Sequence, residues 1–135
     1  MIRAIVCGAA GRMGGRIVAM VKEAEDFAIA GAVERPGHPS LGKDAGELAG
    51  VGKIGINVAD DLNSVVKGGQ VVFDFTAPQA ALAHLAVAAQ AKVPIVCGYI
   101  DWGRRAAGVG PTFVLTSNKE HDLAAIHAFY DALGP

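Results

Sequence analysis

A glycine-rich turn near the N-terminus constrains this chain more than any other feature. Gly8, Gly11 and Gly14 follow the spacing G-x-x-G-x-x-G. The apolar run over residues 2–7 predicts a buried strand before the turn, and the apolar spacing over residues 13–25 predicts a helix after it. Glycines between a strand and a helix let a pyrophosphate approach the backbone, and the helix N-terminus supplies N–H groups and a positive dipole end. The pattern therefore favours a dinucleotide-binding turn, with the last glycine allowing the helix to pack closely on the strand.

Strands and helices alternate along the rest of the chain. Apolar runs predict further strands over 27–33, 71–75, 93–97 and 112–115, and helices over 78–91 and 119–133. Residues 35–55 are rich in glycine and proline and predict a long surface loop with at most one helical turn. A short strand over 55–58 and a short helix over 60–66 follow it. The alternation predicts an α/β fold with a doubly wound, mostly parallel sheet of the Rossmann type, in three layers and a single domain over residues 1–135.

Composition excludes several classes of protein. The chain has 135 residues, of which 52% are hydrophobic, and a formal net charge of -1. Such a chain is too apolar to be disordered and lacks the basic face that a general nucleic-acid binder needs. It has no apolar run near the ~18 residues of a membrane span, and its first residues predict a strand rather than a signal peptide. Its two cysteines cannot staple a small secreted fold, which favours a reducing cytosol.

Two charged residues at the end of the second predicted strand bear on coenzyme choice. Glu34 falls 20 residues after Gly14, where an acidic side chain is expected to bind the ribose hydroxyls of the adenosine. Arg35 follows directly, and an arginine at this place can hold the 2′-phosphate of NADP or stay a solvated loop charge. The pair predicts tolerance of either NAD or NADP. Arg12 lies in the first turn of the helix, where its guanidinium can reach phosphate oxygens.

The residues after the later strands are expected to border the same crevice, because ligands bind beyond the carboxyl ends of strands in such sheets. These candidates are Phe75, Thr76, Gly98, Tyr99, Ile100, Thr116, Ser117 and Asn118. Phe75 is placed beside the nicotinamide. Thr76, with Gln79 three residues later, fits a capping box for the helix over 78–91, and helix capping is the favoured role for Thr76 and for Ser117.

The remaining reactive residue types predict no metal site. His121 and His127 are six residues apart on one predicted helix and point about 120° apart. His38 and His84 have no partner by spacing. The two cysteines end strands that are not expected to be neighbours and fit small buried hydrophobic residues. Asp74 favours a structural role, and Trp102 with Arg104 and Arg105 favours a solvated loop.

Four motifs together resemble the N-terminal domain of the dihydrodipicolinate reductase family, over about residues 1–98. They are Gly8-Ala9-Ala10-Gly11-Arg12-Met13-Gly14, Glu34-Arg35-Pro36-Gly37-His38, Leu41-Gly42-Lys43-Asp44-Ala45-Gly46 and Asp74-Phe75-Thr76-Ala77-Pro78. The resemblance implies reduction of a cyclic imine by NADH or NADPH, on the diaminopimelate and lysine route. It implies coenzyme contacts at Gly8, Ala9, Ala10, Gly11, Arg12 and Met13, at Glu34 and Arg35, at Gly98, Tyr99 and Ile100, and at Thr116, Ser117, Asn118 and Lys119.

The chain departs from the family pattern after residue 98. Tyr99 and Ile100 stand where the family has two threonines, so the nicotinamide pocket is expected to be altered or blocked. The family's substrate domain, with its histidine pair, lysine and Pro-Ser-Gly-Thr loop, has no counterpart here, and no catalytic residue is assigned. Residues 99–135 instead predict a divergent closing strand and helix, as in a truncated, chimeric or redesigned coenzyme domain.

Three hypotheses about the function follow from this pattern. The first is the coenzyme half of a reductase, inactive alone and monomeric or weakly homo-oligomeric. The second is an engineered or decayed scaffold that binds coenzyme weakly or not at all. The third, the coenzyme domain of another two-domain dehydrogenase, is disfavoured by the run from Glu34 to Gly37.

Overall fold

The structure, a computed structural model, describes residues 1–99 and 112–116. Its strands are β1 (Ile2–Cys7), β2 (Phe27–Val33), β3 (Val71–Asp74), β4 (Ile95–Tyr99) and β5 (Thr112–Thr116). Its helices are α1 (Arg12–Glu23), α2 (Ala45–Leu48) and α3 (Pro78–Ala91). None of the helices in this part of the chain has the length and apolar character to cross a membrane. The helix predicted over 119–133 and the loop around Trp102 lie outside the described residues.

The five strands form one sheet in the order β2-β1-β3-β4-β5, in which only β5 is antiparallel to its neighbour. This confirms the predicted mostly parallel sheet. Cys7 pairs with Val33 of β2 and with Asp74 of β3, so these three strands end level with one another. The chain reverses its direction of winding between β1 and β3, and the crevice beyond that point is where ligands bind in open α/β sheets.

Two apolar clusters, one on each face of the sheet, confirm the predicted three layers. On one face Val18 of α1 packs with Val6 and Ala32. On the other face Leu85 of α3 packs with Ile5, Ile95 and neighbouring residues. Leu85 is fully buried, and burying a leucine contributes about 2 kcal/mol to stability.

Two short elements before β3 differ from the prediction. Residues 55–58 form no strand, and isolated bridges from Asn57 to Asp44 and from Ala59 to Val33 take its place. The helix predicted over 60–66 is replaced by two 3-10 turns, Leu62–Ser64 and Val66–Gly68. The Asp61 carboxylate accepts a hydrogen bond from the Asn63 N–H and caps the first turn.

The capping box predicted for α3 is also wrong. The residue that precedes the helix is Ala77, whose side chain makes no capping bond, and Pro78 begins the first turn. The Thr76 hydroxyl instead donates to Asp74 Oδ1 at 2.6 Å. Proline suits this first position because it has no N–H group, and that N–H would have no partner within the helix.

The long loop between β2 and the 3-10 turns is organised by one buried carboxylate. Asp44 Oδ1 accepts hydrogen bonds from the N–H groups of Gly46, Glu47 and Ile54, and Oδ2 accepts one from Gly55 at 2.7 Å. Burial alone would raise the pKa of Asp44, but these backbone donors outweigh it and lower the pKa below its ordinary value of 3.8. The loop is thereby ordered without a sheet or a long helix.

The lowered pKa makes loop stability depend on pH. The stabilisation of the folded chain by the Asp44 carboxylate is complete above the ordinary carboxyl pKa of 3.8. It is lost as the pH falls through the lower pKa of the folded state. We therefore expect Asp44→Asn to lower the urea midpoint at pH 7, and the difference from the unsubstituted chain to shrink in acid. Asp26→Asn, at an exposed position, is the matched control. Equal midpoints for both variants at pH 7 would contradict this role of Asp44.

Candidate functional site

A cavity of about 450 Å³ lies at the carboxyl ends of β1, β2 and β3, within the size range of ligand pockets. It is lined by Gly8, Gly11, Glu34, Arg35, Pro36, Asp60, Phe75, Thr76, Ala77, Ala80, Ala83 and His84. Six of these residues belong to the candidate site expected from the sequence. The fold thus brings together residues that are up to 68 positions apart, from Gly8 to Thr76.

The turn after β1 depends on glycine at its first residue and leads directly into α1. Gly8 has a φ of +77°, which disfavours any residue with a side chain. Gly11 is the residue before α1, and as a glycine it provides no capping side chain. Backbone N–H groups of a first helical turn without such a cap suit an anion.

Gly14 lets α1 pack directly against the end of β1. A Cβ atom added to Gly14 would meet the Gly8 carbonyl oxygen at a separation that no real contact allows. At Gly15, on the same turn of the helix, an added Cβ would meet nothing within 4 Å. Only the first of these neighbouring glycines is therefore required by packing.

Alanine substitutions at these two glycines are expected to change the free energy of unfolding in opposite directions. Gly14→Ala forces the helix away from the turn and should cost about 3 kcal/mol of unfolding free energy. Gly15→Ala should stabilise the chain by about 0.5 kcal/mol, because alanine favours the helix more than glycine does. Urea titrations of the two variants check this, and a Gly14→Ala variant as stable as Gly15→Ala would disprove the packing role.

Glu34 joins the end of β2 to the turn after β1. Its Oε2 accepts a hydrogen bond from the Ala10 N–H at 3.0 Å, and its Oε1 accepts one from the Arg35 N–H at 3.2 Å. A carboxylate offers about four acceptor positions, so two remain for ribose hydroxyls. Arg35 is exposed and lines the same cavity, so both residues lie beside the glycine turn.

Four other residues of the turn and helix differ in how they are placed. Ala9 is buried beneath the turn, and Ala10 is half-buried. Arg12 begins α1 and is exposed. Met13 lines a second, apolar cavity with Phe73 and Val96, and it is not among the residues that line the first.

Of the candidates after the later strands, Phe75, Thr76 and Gly98 are brought together. Phe75 and Thr76 line the first cavity. A Cβ atom added to Gly98 would collide with the Phe75 ring, so this glycine gives the ring its space. Gly98 and Tyr99 belong to β4, and Tyr99 is its last residue.

The structure does not bring Thr116 to the crevice. The expectation placed Thr116 at a strand end that borders the crevice, but β5 is antiparallel to β4. Thr116 pairs with Ile95, at the amino end of β4, whereas the crevice lies at the carboxyl end. Ile100, Ser117, Asn118 and Lys119 lie outside the described residues.

A hydrogen-bonded group beneath the cavity was missed by sequence reasoning. Asp74 is fully buried, and its Oδ1 accepts bonds from the N–H and the hydroxyl of Thr76 at 2.9 and 2.6 Å. Its Oδ2 lies 2.6 Å from Nδ1 of His84. Sequence spacing gave His84 no metal-binding partner, and it did not reveal this hydrogen bond to Asp74. His84 shares the helical spacing of Ala81, Leu85 and Ala88, which are buried on the inner face of α3, and that spacing is the signal that could have located it.

Cys7 approaches this pair, but the three side chains do not form a ready metal site. Their donor atoms lie within 4.8 Å of one another. The 2.6 Å between Asp74 Oδ2 and His84 Nδ1 is a hydrogen-bond distance, shorter than the ~3.3 Å that two ligands of a tetrahedral zinc ion keep. Burial, followed by the charge of Asp74, raises the pKa of the Cys7 thiol and raises that of Cys97 to about 12. Both thiols therefore stay protonated.

Comparisons with known proteins agree with this geometry. The family model described as dihydrodipicolinate reductase, N-terminus, matches residues 2–102. A 4-hydroxy-tetrahydrodipicolinate reductase of Citrifermentans bemidjiense is 57% identical over 98 residues, which are 73% of this chain and 37% of that protein. An amine dehydrogenase structure from Mycobacterium smegmatis is 27% identical, with a TM-score of 0.59 over 71% of this chain and 29% of that one.

A dipicolinate-bound dihydrodipicolinate reductase from Paenisporosarcina sp. TG-14 has the same fold. It is 21% identical, with a TM-score of 0.58 over 78% of this chain and 41% of that one. This chain spans little more than a third of the curated relatives that it matches. It belongs to the dihydrodipicolinate reductase family, and the part that matches is the N-terminal domain.

Proposed function

We propose that this chain binds NAD or NADP in the crevice at the carboxyl ends of β1, β2 and β3. The observation that carries the proposal is a single cavity shared by the glycine turn and by Glu34 and Arg35. The turn offers an uncapped helix N-terminus for a pyrophosphate. The two charged residues lie where the ribose of an adenosine is bound in folds of this class.

The remaining lining residues support an extended ligand. The adenosine end lies toward Glu34, Arg35 and α3, and the nicotinamide end lies toward Phe75 and Gly98. The matched relatives are named as reductases, and a nicotinamide coenzyme supplies the hydride for such a reaction. In this chain the described residues would hold and orient the coenzyme.

The role proposed for the chain is the coenzyme half of imine reduction in diaminopimelate and lysine biosynthesis. The family's dicarboxylate-binding loop and histidine pair have no counterpart in the 135 residues. A reducing cytosol and a monomer or weak homo-oligomer belong to the same proposal. The free, buried Cys7 and Cys97 fit the first of these.

Tyr99 and Ile100 differ from the two threonines of the family pattern, and this difference supports one alternative function. A chain that retains the architecture as an engineered or decayed scaffold would bind coenzyme weakly or not at all. Calorimetric titration with NADH and NADPH separates the two functions. Binding supports the coenzyme domain, and no heat of binding at millimolar coenzyme supports the scaffold.

Coenzyme selectivity tests the proposed roles of Glu34 and Arg35. Glu34→Ala removes the acceptor for the ribose hydroxyls and should weaken the binding of NADH about tenfold more than the binding of NADPH. Arg35→Ala removes a cation that pairs with the 2′-phosphate and should weaken the binding of NADPH more than the binding of NADH. Dissociation constants from the same titrations measure both ratios. Equal losses for both coenzymes in both variants would show that these side chains do not read the ribose.

The absence of the substrate-binding motifs predicts that the 135-residue chain does not turn over the imine. NADH oxidation with freshly generated substrate should stay at the background rate, because nothing orients the imine beside the nicotinamide. A full-length relative provides the positive control. Turnover above background by this chain alone would contradict the prediction.

A further inference from the structure

We infer that His84 reads the adenine base of the coenzyme, and that Asp74 sets the ring nitrogen with which it does so. The inference rests on the proposed coenzyme function and adds a residue that determines base specificity. It starts from the cavity, since His84 lines it together with Pro36, Ala80 and Ala83 at the end beside Glu34 and Arg35.

The end of the cavity beside Glu34 and Arg35 is where we expect the adenine base, because of its position next to the proposed ribose site. The ribose is assigned to Glu34 and Arg35, and the base is attached directly to the ribose. Pro36 follows these residues on one wall, while Ala80 and Ala83 present small side chains from α3 on the other. Small and cyclic aliphatic side chains leave a slot suited to a flat purine ring. His84 is the polar group that α3 adds to this slot.

The hydrogen bonds beneath the cavity fix the proton on the His84 ring. Three polar groups converge on the buried Asp74 carboxylate. The Thr76 N–H and O–H donate to Oδ1, and Nδ1 of His84 lies 2.6 Å from Oδ2. An ionised carboxylate only accepts, so this hydrogen bond requires a proton on Nδ1, and in the neutral imidazole that tautomer leaves Nε2 as an acceptor. Among the described residues Nε2 has no hydrogen-bond partner.

An acceptor in the base slot selects adenine by its 6-amino group. That group is a donor, whereas hypoxanthine and guanine carry a carbonyl oxygen at the same position. Nε2 of His84 accepts a hydrogen bond from the 6-amino group and repels the carbonyl. Asp74 touches no ligand in this arrangement and is a positioning residue, because it acts through the tautomer of His84.

The test compares NADH with deamino-NADH, in which hypoxanthine replaces adenine, by calorimetry at pH 8. We expect the unsubstituted chain to bind NADH about fivefold more tightly, which is the effect of one net hydrogen bond. His84→Phe keeps a ring in the slot and should bind both coenzymes equally. His38→Phe is the matched control, since that histidine lies outside the cavity lining, and it should keep the preference for NADH.

Asp74→Asn gives a readout that a merely structural role would not produce. The amide oxygen can replace Oδ1 as the acceptor for Thr76, and the amide nitrogen then donates to Nδ1 of His84. The ring proton moves to Nε2, which becomes a donor. We expect the preference to invert toward deamino-NADH, whose carbonyl accepts that bond.

The outcomes separate this inference from the proposed function. NADH binding with no preference over deamino-NADH, or an unchanged preference in His84→Phe, overturns the role of His84 and leaves coenzyme binding intact. Loss of the preference in Asp60→Asn would assign the reading to that exposed carboxylate instead and also overturns it. Absence of binding by either coenzyme overturns both proposals.

Discussion

The close approach of α1 to the end of β1 is the constraint on which the rest of the structure depends. Gly14 places the helix backbone against the Gly8 carbonyl, at a distance that a single methyl group would prevent. This contact aims the helix N-terminus at the carboxyl end of the sheet. Because β2 and β3 flank β1 and end level with it, the side chains that follow them lie at the same edge of the sheet. The crevice is thus a consequence of backbone packing, and the side chains around it add selectivity.

Two buried carboxylates play complementary parts around that crevice. Asp44 gathers backbone N–H groups of a loop that lacks regular structure and lets that loop pack over α1 and β2. Asp74 is hydrogen-bonded to Thr76 and His84 beneath the cavity. A buried charge is tolerated only when its hydrogen bonds are satisfied, and both residues meet this requirement. The first orders the scaffold, and the second orients a ring that faces the proposed ligand.

Local pattern predicted most of the fold, and tertiary geometry decided the rest. The strands β1 and β2 and the helix α3 were predicted with the bounds that the structure shows, because apolar runs and helical spacing are local signals. The direction of β5 was not predictable, since it depends on the path of the chain before it, and this misplaced Thr116. The glycine turn with Glu34 and Arg35 was found from spacing, whereas the pairing of Asp74 with His84 requires β3 and α3 to pack face to face.

The most direct test of the central claim is to locate coenzyme binding residue by residue, by following backbone amide signals in nuclear magnetic resonance spectra during a titration with NADH. The account predicts progressive shifts at Gly8, Gly11, Glu34 and Arg35, with the amides of α2 unmoved. Shifts confined to other surfaces, or no shift at millimolar NADH, would contradict the assignment of this crevice as a coenzyme site.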